Sequence, residues 1–163
     1  MKWSNLKPDY YYPDIFSIDL DQLSSRGVRG IISDIDNTIV PWSEEELLKE
    51  VLDWFVDLKE RDFKVCLVSN GTGRRVGYFS RELGIPAVGQ AIKPAKRAFR
   101  QAREKLGLAP EEIVVIGDQI FTDILGGNRM GFQTILVDPL SPKEFLTTRF
   151  VRSLEKLVFR RRD

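Results

Sequence analysis

The sequence predicts an α/β protein with a three-layer, Rossmann-like parallel sheet and helices on both of its faces. Short apolar runs at residues 28–32, 65–68 and 113–116 lie between turn signals, as buried strands do. Segments with helical periodicity separate these runs, and strands that alternate with helices favour parallel pairing through right-handed crossovers. The length of 163 residues is typical of one domain, which we expect to span residues 1–163.

The first predicted element is an arm over about residues 1–16, which is rich in aromatic residues and prolines. We expect this arm to lie extended on the body of the protein. A short helix over residues 17–26 follows, with Ser17 as its N-cap and Gly27 as its stop. The first strand comes next and ends at Asp34.

The second predicted helix lies between the strand that ends at Asp34 and the strand over residues 65–68. Ser43 is expected to be its N-cap, and Glu46 stands three residues later, as in a capping box. Its apolar residues recur at intervals of three and four, which predicts a buried face. These residues are Leu47, Leu48, Val51, Leu52, Phe55 and Leu58.

The later elements continue the alternation of strands and helices. They are a strand to Ser69, a helix over 72–83, a weak strand at 87–88, a helix over 95–106, a strand to Asp118, a helix over 122–129 and a strand over 134–137. Gly84 and Gly107 are predicted to stop two of the helices. The Gly-Gly-Asn-Arg stretch at 126–129 is predicted to be a left-handed helix stop.

Four short polar motifs follow the predicted strands or precede a helix. They are Asp-Ile-Asp-Asn-Thr at 34–38, Ser-Asn at 69–70, Lys-Pro at 93–94 and Gly-Asp-Gln-Ile-Phe-Thr-Asp at 117–123. Open α/β sheets bind ligands outside the carboxyl ends of their strands. We therefore expect the four motifs to form one site that handles a phosphate group.

The first motif places two carboxylates two residues apart at a strand end, where residues i and i+2 point to the same side. We predict that Asp34 is a nucleophile, which would divide phosphoryl transfer into two easier steps through an aspartyl-phosphate. Asp36 is predicted to be the general acid for the leaving oxygen and then the base for water.

Carboxylates beside a phosphate dianion require cations. Asp118 is predicted to bind Mg²⁺ together with Asp34, since magnesium prefers oxygen ligands and keeps several waters. Lys93 is the predicted fixed positive charge on the phosphoryl oxygens, and Ser69 the predicted hydroxyl donor to one of them. Asp123 would hold Lys93 in place, which we favour, or support the metal.

Further residues near these motifs are predicted to contact substrate. Thr38 and Asn70 belong to the motifs themselves, and Arg74 and Arg75 begin the helix after the second motif. For the two arginines, a solvated helix start is an equal alternative. Trp42 either flanks the mouth of the site or packs in the core.

The four motifs together resemble those of the haloacid dehalogenase (HAD) superfamily of phosphohydrolases. In that family the first Asp is the nucleophile, the second is the acid and base, and the last motif binds Mg²⁺ with the first Asp and a backbone carbonyl of the second. The resemblance therefore implies Asp34, Asp36 and Asp118 as metal ligands. An Asp at position 36 looks like the phosphatase branch of the family.

The fine detail of the motifs, with Gly-Gly-Asn-Arg-x-Gly at 126–131, resembles the YqeG-type subgroup of subclass IIIA. That subgroup is similar to the mitochondrial phosphatidylglycerophosphatases, and the resemblance spans about residues 5–150. It implies an Mg²⁺-dependent phosphatase that converts phosphatidylglycerophosphate to phosphatidylglycerol. The alternatives are a phosphatase acting on nucleic-acid or protein phosphates, and a phosphate-binding scaffold without catalysis.

The spacing of the motifs leaves no room for the cap domain that HAD enzymes usually carry. Thirty residues separate Thr38 from Ser69, and 22 separate Asn70 from Lys93, enough for one helix and one strand each. We therefore expect a capless site. An open site excludes water poorly, which favours a large phosphorylated substrate such as a lipid headgroup.

The last 21 residues, 143–163, contain seven basic and three acidic residues, a net charge of +4. Apolar residues at helical spacing accompany them, so a basic helix over about 142–163 is predicted either to contact an anionic membrane surface or to pack on the body. Arg160, Arg161 and Arg162 would face the lipid in the first case.

Composition excludes several kinds of chemistry. The chain has no histidine, which rules out histidine bases and phosphohistidine, and a single cysteine, Cys66, expected to be a core thiol. The net charge of +1 and the absence of an RNA-reading motif give no argument for nucleic acid. No signal peptide or membrane span is recognised, so we expect a cytoplasmic protein, either free or peripheral on the inner membrane surface.

Overall fold

The structure, a computed structural model, describes residues 3–141. These residues form one six-stranded parallel sheet, which confirms the predicted α/β class. The strands are β1 (Tyr10–Tyr12), β2 (Gly30–Ser33), β3 (Lys64–Val68), β4 (Ala87–Val88), β5 (Ile113–Gly117) and β6 (Gln133–Val137), and their order in the sheet is β1-β6-β5-β2-β3-β4. The predicted basic helix over 142–163 lies outside the described residues.

Five α-helices connect the strands: α1 (Leu20–Ser25), α2 (Lys49–Glu60), α3 (Gly73–Leu83), α4 (Lys96–Leu106) and α5 (Leu125–Arg129). A π-helical turn at Ile120–Ile124 leads directly into α5. Gly84 and Gly107 end α3 and α4 in the left-handed conformation, as predicted, with φ of 64° and 67°. None of the helices within residues 3–141 is long and apolar enough to span a bilayer.

The sheet is covered on both faces, which gives the three layers. Alternate residues of each strand enter different clusters, because successive side chains of a strand point to opposite faces. Ile31 and Val65 pack in the cluster that contains apolar residues of α1, α2 and α3. Ile32 and Cys66 pack in a second cluster, against Phe99 and its neighbours in α4. Burial raises the pKa of Cys66 to about 12, which fits the predicted core thiol.

The central strands β5, β2 and β3 are in register, so their carboxyl ends lie at the same edge of the sheet. Ile32 pairs with Cys66 on one side and with Val115 on the other. Between β2 and β3 the chain forms a loop and α2, and between β3 and β4 it forms α3 with its flanking turns. These described connections hold no inserted domain, as the motif spacing predicted.

The N-terminal arm contains a strand that the sequence did not predict. Tyr10, Tyr11 and Tyr12 pair in parallel with β6, and this adds an edge strand to the sheet. The carboxylate of Asp9 accepts hydrogen bonds from the amide and hydroxyl of Thr134, at 2.8 and 3.2 Å. Three successive tyrosines have no alternation of apolar and polar residues, so the strand has no local signal.

Two predicted helix starts were wrong. Helix α1 is capped by Asp19, which accepts from the Gln22 amide at 2.9 Å, and not by Ser17. Helix α2 begins at Lys49 after Leu48, and the capping box predicted at residues 43–46 does not form. Leu48, which precedes the helix, and Leu52, which lies within it, are both exposed and do not belong to its buried face.

The glycines at 126–127 lie inside α5 and do not stop a helix. A Cβ on Gly126 would stand 2.1 Å from Cε2 of Phe99, and one on Gly127 would stand 2.9 Å from Cγ2 of Val115. Glycine is therefore required here by close packing of α5 on α4 and the sheet. The left-handed residue that follows α5 is Gly131, with φ of 77°.

Candidate active site

The four motifs come together at the carboxyl edge of the sheet, around a cavity of about 420 Å³. This volume is at the lower end of the range of about 300–1,000 Å³ that is usual for small-molecule sites. The predicted site residues in its wall are Asp34, Asp36, Ser69, Asn70, Arg75 and Lys93. Trp42 also lines the cavity and is 37 % exposed, so it flanks the mouth instead of packing in the core.

Lys93 lies at the centre of the site. Its Nζ is 2.8 Å from Oδ1 of Asp34 and 2.6 Å from Oδ1 of Asp123. Its side chain is only 3 % exposed. The side-chain oxygen of Asn70 accepts a hydrogen bond from the Lys93 amide at 2.7 Å, so the second motif fixes the backbone of the third.

Asp123 reaches this position because residue 117 is a glycine. A Cβ on Gly117 would stand 2.3 Å from Cγ of Asp123. The second carboxylate oxygen of Asp123 accepts from the Gln119 amide at 3.2 Å. The contact with Lys93 is the arrangement that we favoured from the sequence.

Burial has the largest effect on the pKa values of Asp34, Lys93 and Asp123. It raises the pKa of Asp34 from an ordinary 3.8 to about 7, although the Lys93 ammonium acts in the opposite direction. Burial also raises the pKa of Asp123. For Lys93, burial alone would lower the pKa, but the carboxylates of Asp123 and Asp34 outweigh it and raise the pKa above its usual value.

Asp34, Asp118 and Asp123 form a buried acidic group whose carboxylate oxygens can lie within 4.8 Å of one another. Thr38 places its hydroxyl 3.3 Å from Oδ1 of Asp118. When ionised, the three carboxylates and Lys93 carry a net charge of −2, which one divalent cation would neutralise. Hard carboxylate oxygens are also the donors that Mg²⁺ prefers, so these residues fit a magnesium ion.

Asp36 is not a member of this acidic group. Its Oδ1 accepts a hydrogen bond from Nε of Arg75 at 2.9 Å, and its Oδ2 lies 3.4 Å from the hydroxyl of Ser69. The same hydroxyl accepts from the Gly71 amide at 2.9 Å. The carboxylates of Asp34 and Asp36 thus have different cationic partners, Lys93 and Arg75.

Two of the predicted substrate contacts are not among the described residues that line the cavity. The Thr38 side chain is buried beside Asp118, and Arg74 is exposed at the start of α3. The wall also includes Gln119 and Thr122, which sequence reasoning did not name as site residues. Both belong to the fourth motif, and their positions between its two acids, Asp118 and Asp123, were the available signal.

Comparison with known proteins agrees with this geometry. Residues 91–139 match the family described as HAD-hydrolase-like. The chain is 44 % identical over 151 residues to a probable phosphatase, YqeG, of Bacillus subtilis, and the match covers 93 % of this chain and 88 % of that protein. It is 28 % identical to an Arabidopsis thaliana phosphatidylglycerophosphate phosphatase 1, with 94 % of this chain and 47 % of that protein covered.

Solved structures support the fold. A predicted HAD-like family hydrolase from Porphyromonas gingivalis superposes with a TM-score of 0.58 at 15 % identity, over 77 % of this chain and 98 % of that chain. The extensive match to the Bacillus protein, together with the four motifs at one sheet edge, establishes the family. The chain is a phosphatase that belongs to the YqeG type of the HAD superfamily.

Proposed function

We propose that this phosphatase is an Mg²⁺-dependent phosphomonoesterase that works through an aspartyl-phosphate on Asp34. The observation that carries the proposal is the position of Lys93, which lines the cavity together with Asp34 and whose ammonium contacts both Asp34 and Asp123. The Asp34 carboxylate is buried and has little contact with water, and its partner Lys93 is a fixed cation. A carboxylate in this environment is suited to act as the nucleophile toward an anionic phosphate.

Asp34 and Asp118 would hold the metal, with the backbone carbonyl of Asp36 as the third protein ligand that the family resemblance implies. When bound, Mg²⁺ would neutralise charge on the phosphoryl group and orient it. Asp123 would keep Lys93 in position, as their 2.6 Å contact indicates.

In the first step, the Asp34 carboxylate forms a bond to phosphorus while the ester P–O bond breaks. Asp36 gives its proton to the leaving alkoxide, which departs as an alcohol. In the second step, Asp36 takes a proton from water as the water oxygen attacks phosphorus, and inorganic phosphate leaves with Asp34 regenerated. Lys93 and the Ser69 hydroxyl would stabilise the charge on the non-bridging oxygens in both steps.

The substrate that we propose is phosphatidylglycerophosphate. The cavity suits a phosphoglyceryl headgroup in volume, and the described connections carry no cap domain that would exclude attached acyl chains. The similarity to the Arabidopsis phosphatidylglycerophosphate phosphatase supports the same substrate, although this chain spans about half the length of that relative.

We also propose that the enzyme works in the cytoplasm at the inner membrane surface. The described structure ends at Ser141, beside Leu140, whose amide donates to the carbonyl of the cavity residue Asn37 at 3.1 Å, and the sequence from residue 143 onward is basic. A positive segment that begins there would bring the cavity toward anionic lipid.

A substrate panel tests this proposal. Phosphate release is measured with Mg²⁺ for short-chain phosphatidylglycerophosphate, sugar phosphates, nucleotides, a 5′-phosphorylated oligonucleotide and phosphopeptides. The lipid should give the highest kcat/KM, and chelation by EDTA should abolish turnover. A preference for the oligonucleotide or the peptides would overturn the lipid assignment, and no turnover of any substrate would overturn the proposed chemistry.

A further inference from the structure

Arg75 is bound on all sides of its guanidinium. Nε donates to Oδ1 of Asp36 at 2.9 Å, Nη1 donates to the Glu44 carbonyl at 2.7 Å, and Nη2 donates to the Pro41 carbonyl at 3.3 Å. The guanidinium carbon also lies 5.0 Å from the centre of the Phe79 ring, one turn further along α3. One side chain therefore connects α3 to the acid and to the loop that follows it.

These contacts hold the Arg75 guanidinium in one orientation. Each of its three nitrogens already donates to a protein oxygen, and the side chain is only 20 % exposed. Three of its five N–H groups are thus occupied, and a phosphate that displaced one of them would break the bond to Asp36 or release the loop. The planar guanidinium suits this branched arrangement, which a lysine ammonium cannot reproduce.

The contacts also restrict Asp36. Arg75 binds one of its carboxylate oxygens, and the Ser69 hydroxyl lies beside the other. In the sequence, Trp42 lies between Pro41 and Glu44, whose carbonyls Arg75 binds, and it lines the same cavity. One side chain thus contacts both the acid and the loop that carries this wall residue.

We propose that Arg75 is a positioning residue that orients Asp36 toward the leaving oxygen and fixes the 41–44 loop at the mouth of the cavity. This role rests on the proposed function, in which Asp36 protonates the leaving group. Its effect therefore depends on the leaving group. An alkoxide needs the proton, whereas p-nitrophenolate is stable enough to leave without it.

The experiment compares kcat/KM for dihexanoyl-phosphatidylglycerophosphate and for p-nitrophenyl phosphate in wild type, Arg75→Gln and Arg75→Lys. This constant reports formation of the phosphoenzyme, so a slow second step does not obscure it. In Arg75→Gln we expect a loss of about 10²-fold or more for the alkyl ester, the range of general acid catalysis, and less than about tenfold for the aryl ester. Arg75→Lys should keep the charge and the fold but show the same selective loss.

A double mutant separates positioning from a structural role. If Arg75 acts through Asp36, adding Arg75→Gln to Asp36→Asn should reduce alkyl turnover by no more than about threefold further, because the two residues act as one unit. Arg81→Gln, an exposed arginine near the end of the same helix, is the matched control and should leave both rates unchanged.

Equal losses for the two substrates, or a rise in KM alone, would overturn the positioning role and indicate direct phosphate binding. If Arg75→Gln does not fold, the same test is made with Arg75→Lys and its double mutant with Asp36→Asn. The deciding quantity is again the loss of kcat/KM for the alkyl ester relative to the loss for the aryl ester. If the wild-type protein turns over neither substrate, the proposed function is wrong, and the role of Arg75 with it. This outcome differs from one in which the wild type is active and only the Arg75 variants behave against expectation.

Discussion

The ammonium of Lys93 lies 2.8 Å from Oδ1 of Asp34, so the proposed nucleophile and the proposed phosphate-binding cation are already an ion pair in the folded chain. Both side chains are buried, and a second carboxylate, Asp123, contacts the same ammonium. Each of these charges would be costly to bury alone, so the site depends on their pairing. Its chemistry and its stability depend on the same residues.

Asp34→Asn should abolish turnover. The amide is similar in shape but cannot form an aspartyl-phosphate, and loss of a nucleophile typically costs about 10⁴-fold or more in rate. Phosphate release in the presence of Mg²⁺ is the measurement. Asp53→Asn, on the exposed side of α2, is the control and should keep full activity. Residual activity in Asp34→Asn close to that of wild type would contradict the assignment.

The metal-free protein should lose stability as the pH rises from 5 to 8. Burial raises the folded-state pKa of Asp34 from 3.8 to about 7, so the folded protein retains a proton that the unfolded chain releases. The stabilisation from this proton is complete below about pH 4 and is lost as the pH rises through 7. The expected loss is of the order of 2–3 kcal/mol.

Urea unfolding in EDTA at several pH values measures this loss. Asp34→Asn cannot ionise and should show a flatter dependence on pH than wild type. Added Mg²⁺ should restore stability to the wild type most strongly at pH 8, where the carboxylate is free of its proton. Parallel pH profiles for wild type and Asp34→Asn would contradict the assigned pKa shift.

Lys93→Met should both inactivate and destabilise the protein. Removing one partner of a buried ion pair typically costs about 3–5 kcal/mol, because the remaining charges have no compensation. In the double mutant with Asp123→Asn one of those charges is gone, so we expect a smaller free-energy loss than the sum of the single losses. A double-mutant cycle by urea unfolding measures the coupling, and strict additivity would show that the pair is not coupled.

Gly126→Ala should destabilise the protein without touching the site. The new Cβ would stand 2.1 Å from the buried ring of Phe99, and overpacking of this kind costs about 1–3 kcal/mol. Gly73→Ala is the matched control, because a Cβ there meets nothing within 4 Å and alanine is favoured in a helix. Thermal unfolding of the two variants should therefore give shifts of opposite sign.

Replacing Arg160, Arg161 and Arg162 by serine should weaken binding to vesicles that contain phosphatidylglycerol. Each lost charge near an anionic surface removes about 1 kcal/mol of attraction. Co-sedimentation at two salt concentrations measures the effect, and neutral phosphatidylcholine vesicles are the control. Unchanged binding to the anionic vesicles would favour packing of this segment on the body of the protein.

Much of the site could be predicted because its signals are local. Asp34, Ser69 and Asp118 each follow an apolar run that is long enough for a buried strand. Parallel strands end at a common edge, so residues far apart in sequence could be expected to meet there. The lengths between motifs also predicted the absence of a cap, because one helix and one strand occupy nearly all of the intervening residues.

The remaining features depend on contacts that have no sequence pattern. Arg75 binds Asp36, which is 39 residues away in the sequence, and donates to two carbonyls of the 41–44 loop. The sequence predicts that helix α2 begins within this loop, with Ser43 as its N-cap, but the helix begins at Lys49. The strand Tyr10–Tyr12 pairs with β6, and the Asp9 carboxylate beside it accepts from the Thr134 amide, 125 residues along the chain.

The sequence by itself therefore determined the alternation of strands and helices after the N-terminal arm, the edge where the acids gather and the family of the chain. It could do so because helical periodicity and the polar residues at strand ends are properties of neighbouring residues. Only the tertiary structure decided which cation pairs with which acid. Lys93 binds Asp34 and Asp123 while Arg75 binds Asp36, and that division follows from the distances and directions at which the packed elements present their side chains.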